Sequence, residues 1–135
     1  MAVGLLLVSH NQIGAELINT ARQMLSCSPL PTKVISIRTS DHPEAITLKL
    51  NQELIGLDQG NGILILTDMF GSTPSNIACS VSDRDDIRVI SGLNLPMLIR
   101  VLNYPNLDLD ALEIKALSGG QEGVARCHKS GVCND

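Results

Sequence analysis

Two short apolar runs in this chain end in residues that can do acid–base or nucleophilic chemistry. Leu5-Leu6-Leu7-Val8 is followed by Ser9-His10-Asn11, and Ile63-Leu64-Ile65-Leu66 by Thr67-Asp68. An imidazole held by a carboxylate has a fixed tautomer and serves as a base or a nucleophile. In an open parallel sheet, ligands bind outside the carboxyl ends of the strands. If the two runs are neighbouring strands, His10 and Asp68 meet at that edge.

The residues after Asp68 read Met69-Phe70-Gly71-Ser72-Thr73-Pro74-Ser75-Asn76. Thr73-Pro74 predicts a helix start, with Thr73 as N-cap and Pro74 in the first helical position. The unpaired N–H groups and positive dipole end of such a helix favour an anion. Gly71 lets the backbone approach closely, and Ser72 and Thr73 offer hydroxyls. A nucleophilic imidazole beside a site for a doubly charged oxyanion suits phosphoryl transfer, which needs in-line positioning and donors for the equatorial oxygens. No metal cage is evident, and neither metal nor cofactor is required when the donor is itself a phosphohistidine.

Other readings use some of these residues. A receiver-like switch would phosphorylate Asp68, but it needs acids after the first strand to hold Mg²⁺, where this chain has Ser9 and His10. A hydrolase could use Ser72 or Thr73 with His10 and Asp68, but there is no G-x-S-x-G turn. A binding module for a phosphorylated metabolite fits the anion site and leaves the His10–Asp68 pair without a role. His42 and His128 read as surface residues. Cys127, His128 and Cys133 lack a fourth ligand, and the four cysteines read as free thiols.

Four apolar runs predict the strands that must position these groups: Val3–Val8, Lys33–Ile37, Gly62–Thr67 and Ile87–Ser91. Their richness in Val, Ile and Leu predicts parallel strands buried on both faces. Helical spacing follows each. Ile13, Leu17, Ala21 and Met24 or Leu25 form one stripe. Asp41-His42-Pro43-Glu44 reads as a capping box ahead of Ile46, Leu50, Leu54 and Leu57. Asn94-Leu95-Pro96 opens a further helix. Another runs from Asp108 to Leu117 and is stopped by Gly119-Gly120. Residues 122–127 read as either more helix or a short edge strand. The alternation of strand and helix predicts an α/β, doubly wound open sheet.

Composition narrows the partners. The chain has 135 residues, 44% hydrophobic and 18% charged, which suits one domain with a real core. Phe70 and Tyr104 are its only aromatics, so base-stacking platforms cannot be built in number. A net charge of −4 without a basic cluster argues against nucleic acid. The first apolar run is too short to span a bilayer and lacks the flanks of a signal peptide, which predicts a cytoplasmic protein without membrane insertion.

The stretches Gly4–His10, Thr67–Asn76 and Ile90–Leu98, with the spacing between them, resemble the mannose-type enzyme IIA of the bacterial phosphoenolpyruvate-dependent sugar phosphotransferase system. The likeness runs through nearly the whole chain, and the middle motif is specific. The family pattern commonly has a second glycine where Ser72 stands. The resemblance implies a phosphocarrier in which His10 accepts a phosphoryl group from phospho-HPr and passes it to a IIB partner. It implies that Asp68 orients His10 and that the Thr73 hydroxyl helps hold the phosphoryl group near Gly71 and Ser72. It also implies a strand order of 2-1-3-4 and a homodimer that exchanges a short antiparallel strand near the C-terminus. On this reading residues 1–128 form the IIA domain and 129–135 a polar tail. The IIB component is then a separate chain, and the role is sugar uptake or regulation.

Overall fold

A computed structural model describes residues 2–26 and 30–129, and the backbone of 133–134. The thiol readings of Cys27 and Cys133, and most of the tail, lie outside the described residues. The elements are β1 (Gly4–His10), α1 (Ile13–Leu25), β2 (Thr32–Ile37), α2 (Pro43–Leu57), β3 (Ile63–Thr67) and α3 (Thr73–Cys79). They continue as β4 (Ile87–Ser91), α4 (Leu95–Leu102), α5 (Leu109–Glu122), β5 (Arg126–Cys127) and β6 (Cys133–Asn134).

The first four strands form one parallel sheet in the order β2-β1-β3-β4. Alternate side chains of a strand point to opposite faces. Leu5 and Leu7 of β1, with Leu64 and Leu66 of β3, pack under α1, α4 and α5 through Ile18, Ala21, Leu98, Val101, Leu112 and Ala116. Leu6 and Val8, with Ile63 and Ile65, pack on the other face under Ile46, Leu50 and Leu54 of α2 and Ile77 of α3. The fold is therefore doubly wound, with β1 and β3 buried on both faces. Each buried leucine or isoleucine contributes about 1.5–3 kcal/mol relative to exposure.

The edge strands differ from expectation. Burial in β2 and β4 is only partial, and Lys33 is exposed. A strand with one neighbour and incomplete helix cover leaves part of its surface in water. The first strand also runs two residues beyond Val8, because β2 continues to pair with it as far as His10 opposite Ile37.

The buried face of α1 is Gly14, Ile18 and Ala21, whereas Ile13 and Met24 are 47% and 61% exposed. The apolar stripe is thus rotated, because Gly14 lies against Ser9 where no side chain fits. The α2 stripe is buried as spaced, but Asp41 does not cap the helix. His42 is the N-cap residue and makes no side-chain cap bond, while Asp41 closes the preceding turn. Ser72 stands at the N-cap position of α3 in place of Thr73, which becomes the first helical residue.

Gly119 and Gly120 do not stop α5, which continues to Glu122 with both glycines buried. A Cβ on Gly119 would stand 2.6 Å from Arg100 Cβ, and one on Gly120 would stand 2.7 Å from Met97 Cε. The glycines serve the close crossing of α4 and α5. The expected terminal strand is shortened to Arg126–Cys127, and in this single chain it pairs antiparallel with β6, off the main sheet.

Candidate active site

The sheet register determines which residues meet. Val8 pairs with Thr67, so the ends of β1 and β3 lie side by side with His10 and Asp68 just beyond that pair. Asn11 then turns the chain, in a left-handed conformation at φ 48°, and its N–H donates to Ile37 C=O at 2.9 Å. Ser9 is fully buried, and its Oγ accepts the Gly14 N–H at 2.9 Å. Ser9 therefore ties the start of α1 to the strand and leaves His10 at the rim.

Asp68 Oδ2 lies 2.8 Å from His10 Nδ1 and accepts the His10 backbone N–H at 2.9 Å. Its Oδ1 accepts the Met69 N–H at 3.0 Å. Burial raises the Asp68 pKa, but the hydrogen bonds from the His10 backbone and ring, and the ring's charge, outweigh it. The pKa ends below its ordinary value. An ionised carboxylate only accepts, so Nδ1 carries the proton. In a neutral imidazole the lone pair is then on Nε2. The His10 side chain is 35% exposed against 9% for Asp68, so the ring, and not the carboxylate, meets solvent.

The loop after Asp68 is held from below. Thr67 Oγ1 donates to Ser91 Oγ at 2.9 Å, and Ser91 Oγ lies 2.8 Å from Ser75 Oγ. This chain of hydroxyls joins β3, β4 and α3 in the interior, where polar groups need partners. In the sequence these groups are only scattered serines and a threonine, with no pattern that joins them. Gly71 has φ +82°, a conformation that favours glycine, whereas Ser72 has φ −81° and needs no glycine. The Ser72 hydroxyl donates to Met69 C=O at 2.6 Å, so its proton is committed. The Thr73 hydroxyl is exposed and makes no hydrogen bond among the described residues.

His10 and Thr73 share a pocket of about 290 Å³ with Ile37, Arg38, Thr39, Asp41 and Pro43. The β2–α2 turn thus forms one wall of the site. No pattern in the sequence marks this turn, although Arg38 directly follows the strand that neighbours β1. Outside the pocket, Met69 and Phe70 are 60% and 83% exposed and give the Asp68 loop an apolar rim. Asn94 does not join the site. Its side chain caps α4 at Met97 N and donates to Gly120 C=O at 3.1 Å.

No helix among the described residues is long and apolar enough to cross a membrane. The chain is 31% identical over 127 residues to the mannose-specific EIIAB component of the phosphotransferase system of Escherichia coli K12. That alignment covers 92% of this chain and 39% of the relative, so the chain spans about two fifths of the curated protein. It is 26% identical over 116 residues to the transcriptional regulatory protein LevR of Bacillus subtilis, covering 82% of this chain and 12% of that one. Among solved structures it superposes on the mannose/sorbose-specific IIA subunit of Enterococcus faecalis with a TM-score of 0.83 and 28% identity, covering 95% and 96% of the two chains. Residues 4–113 match the EIIA-man family, described as the PTS system fructose IIA component, and the chain belongs to that family.

Proposed function

We propose that this chain is a phosphocarrier that accepts a phosphoryl group on His10 from phospho-HPr and passes it to a IIB component. The observation that carries the reading is the 2.8 Å contact between Asp68 Oδ2 and His10 Nδ1, which leaves Nε2 as the nucleophilic nitrogen beside the pocket. The Nε2 lone pair attacks phosphorus as the N–P bond of the donor phosphohistidine breaks. The bonding pair returns to the donor nitrogen. The proton on Nδ1 stays, and Asp68 stabilises the charge that develops on the ring. Thr73 supplies a hydroxyl to the phosphoryl oxygens, and Gly71 and Ser72 shape the approach.

Both Asp68 oxygens already accept hydrogen bonds from His10 and Met69, which weighs against a phosphoaspartate switch. The exposed Met69 and Phe70 offer partner proteins an apolar contact beside the ring. The chain works as a homodimer in the cytoplasm, in sugar uptake or its regulation. The test is incubation with phosphoenolpyruvate, enzyme I and HPr, followed by location of the phosphate on a peptide. An acid-labile, base-stable phosphate on His10, lost in His10→Ala, is expected. Retained label in His10→Ala, or a base-labile phosphate on Asp68, overturns the reading.

A further inference from the structure

The β2–α2 turn forms a wall of the pocket beside the His10–Asp68 pair. Its position follows from the sheet. Ile37 pairs with His10, so Arg38 leaves the sheet beside the imidazole. The turn is closed at both ends. The Arg38 N–H donates to Asp41 Oδ2 at 2.8 Å, and the Asp41 N–H donates to Arg38 C=O at 3.0 Å. The backbone under Arg38 is therefore held in one shape.

The guanidinium itself is uncommitted. Arg84, Arg88 and Arg100 each pair with an acid. Arg38 is exposed, and its side chain makes no hydrogen bond or ion pair among the described residues. Arg38 is also the cationic side chain of the pocket lining, which otherwise holds the Asp41 carboxylate and stands next to Asp68. A dianionic phosphoryl group on Nε2 would meet two carboxylates there. A guanidinium presents N–H groups in a planar fork that matches two phosphoryl oxygens and keeps its charge at any working pH.

We propose that Arg38 grips the phosphoryl group carried by His10. This assignment rests on the phosphohistidine reading and deepens it. Arg38 holds the equatorial oxygens during transfer and offsets Asp41 while the group is carried. A rival role, docking an acidic patch on a partner protein, uses the same charge without touching phosphorus.

The test compares wild type with Arg38→Gln and Arg38→Lys, each checked for folding by circular dichroism. The donors are phospho-HPr and phosphoramidate, a small molecule with no protein surface. Loss of a charged hydrogen-bond donor should slow labelling of His10 in Arg38→Gln by about tenfold or more with both donors. Arg38→Lys should recover part of the loss, because it restores the charge without the fork. Slowing with phospho-HPr alone would assign Arg38 to docking and overturn the proposal. So would unchanged rates with both donors. A wild-type protein that takes no label on His10 from either donor overturns the phosphocarrier reading and this inference together.

Discussion

A single carboxylate oxygen, Oδ2 of Asp68, accepts both the backbone N–H of His10 at 2.9 Å and its ring Nδ1 at 2.8 Å. The two bonds fix the main chain and the imidazole of one residue against the same point. They join the end of β1 to the end of β3 and set the tautomer in one arrangement. Asp68→Asn keeps the shape, removes the charge and can turn an N–H toward the ring. Phosphoryl transfer should fall at least about tenfold, the scale of one misplaced acid–base group, while circular dichroism stays unchanged. An unchanged transfer rate would remove Asp68 from the mechanism.

The same contact makes stability depend on pH in a defined direction. The Asp68 pKa is lowered in the folded protein from its ordinary value of 3.8. Ionised Asp68 therefore favours the folded state. That contribution is complete above the unfolded pKa and is lost as pH falls through the lower, folded value. Urea unfolding midpoints of wild type and Asp68→Asn, compared from pH 5 downward, should converge below about pH 4. A difference that grows on further acidification would mean that the Asp68 carboxylate does not gain from its bonds to His10.

The α4–α5 crossing separates close approach from helix propensity. Alanine is favoured over glycine by roughly 1 kcal/mol in a helix interior. At Gly56 of α2 nothing lies within 4 Å of an added Cβ, so Gly56→Ala should raise the melting temperature. At Gly119 the Cβ would meet Arg100 Cβ at 2.6 Å, next to the backbone of α4. The helices must then move apart, and overpacking of this kind costs typically about 1–3 kcal/mol. Gly119→Ala should lower the melting temperature despite its better propensity. Gly120→Ala meets the far end of the unbranched Met97 side chain and should cost less. An order in which Gly119→Ala is the most stable of the three would refute the close-packing account.

These glycines also mark where the sequence was misleading. Local reading takes Gly119-Gly120 after an amphipathic run as a helix stop. The crossing partner Arg100 is far away in the chain and leaves no local trace. Thr73-Pro74 likewise points to Thr73 as the N-cap, but Ser72 occupies that position, because one residue of offset lets the Ser72 hydroxyl close on Met69 C=O. The strands, the α2 stripe at Ile46, Leu50, Leu54 and Leu57, and the meeting of His10 with Asp68 were legible. Each rests on periodicity, or on the rule that polar residues gather at strand ends. Arg38 was not legible as part of the site. An arginine in a turn carries no pattern of its own, and only the pairing of Ile37 with His10 places it there.

Assembly is the remaining expectation. β4 closes one side of the sheet and has β3 as its only partner among the described residues. An unpaired edge of N–H and C=O groups invites another strand. β5 lies off that sheet, joined to α5 by the short stretch 123–125. In an exchanged dimer, the segment after α5 would add to the partner's edge and cover it, with the same contact made twice about a two-fold axis. Light scattering of the full chain at micromolar concentration should then give a dimer. Removal of residues from Val124 onward should expose the edge, lower the melting temperature and promote aggregation. A monomeric full chain would end the proposal, as would a truncated chain that stays soluble with an unchanged melting temperature.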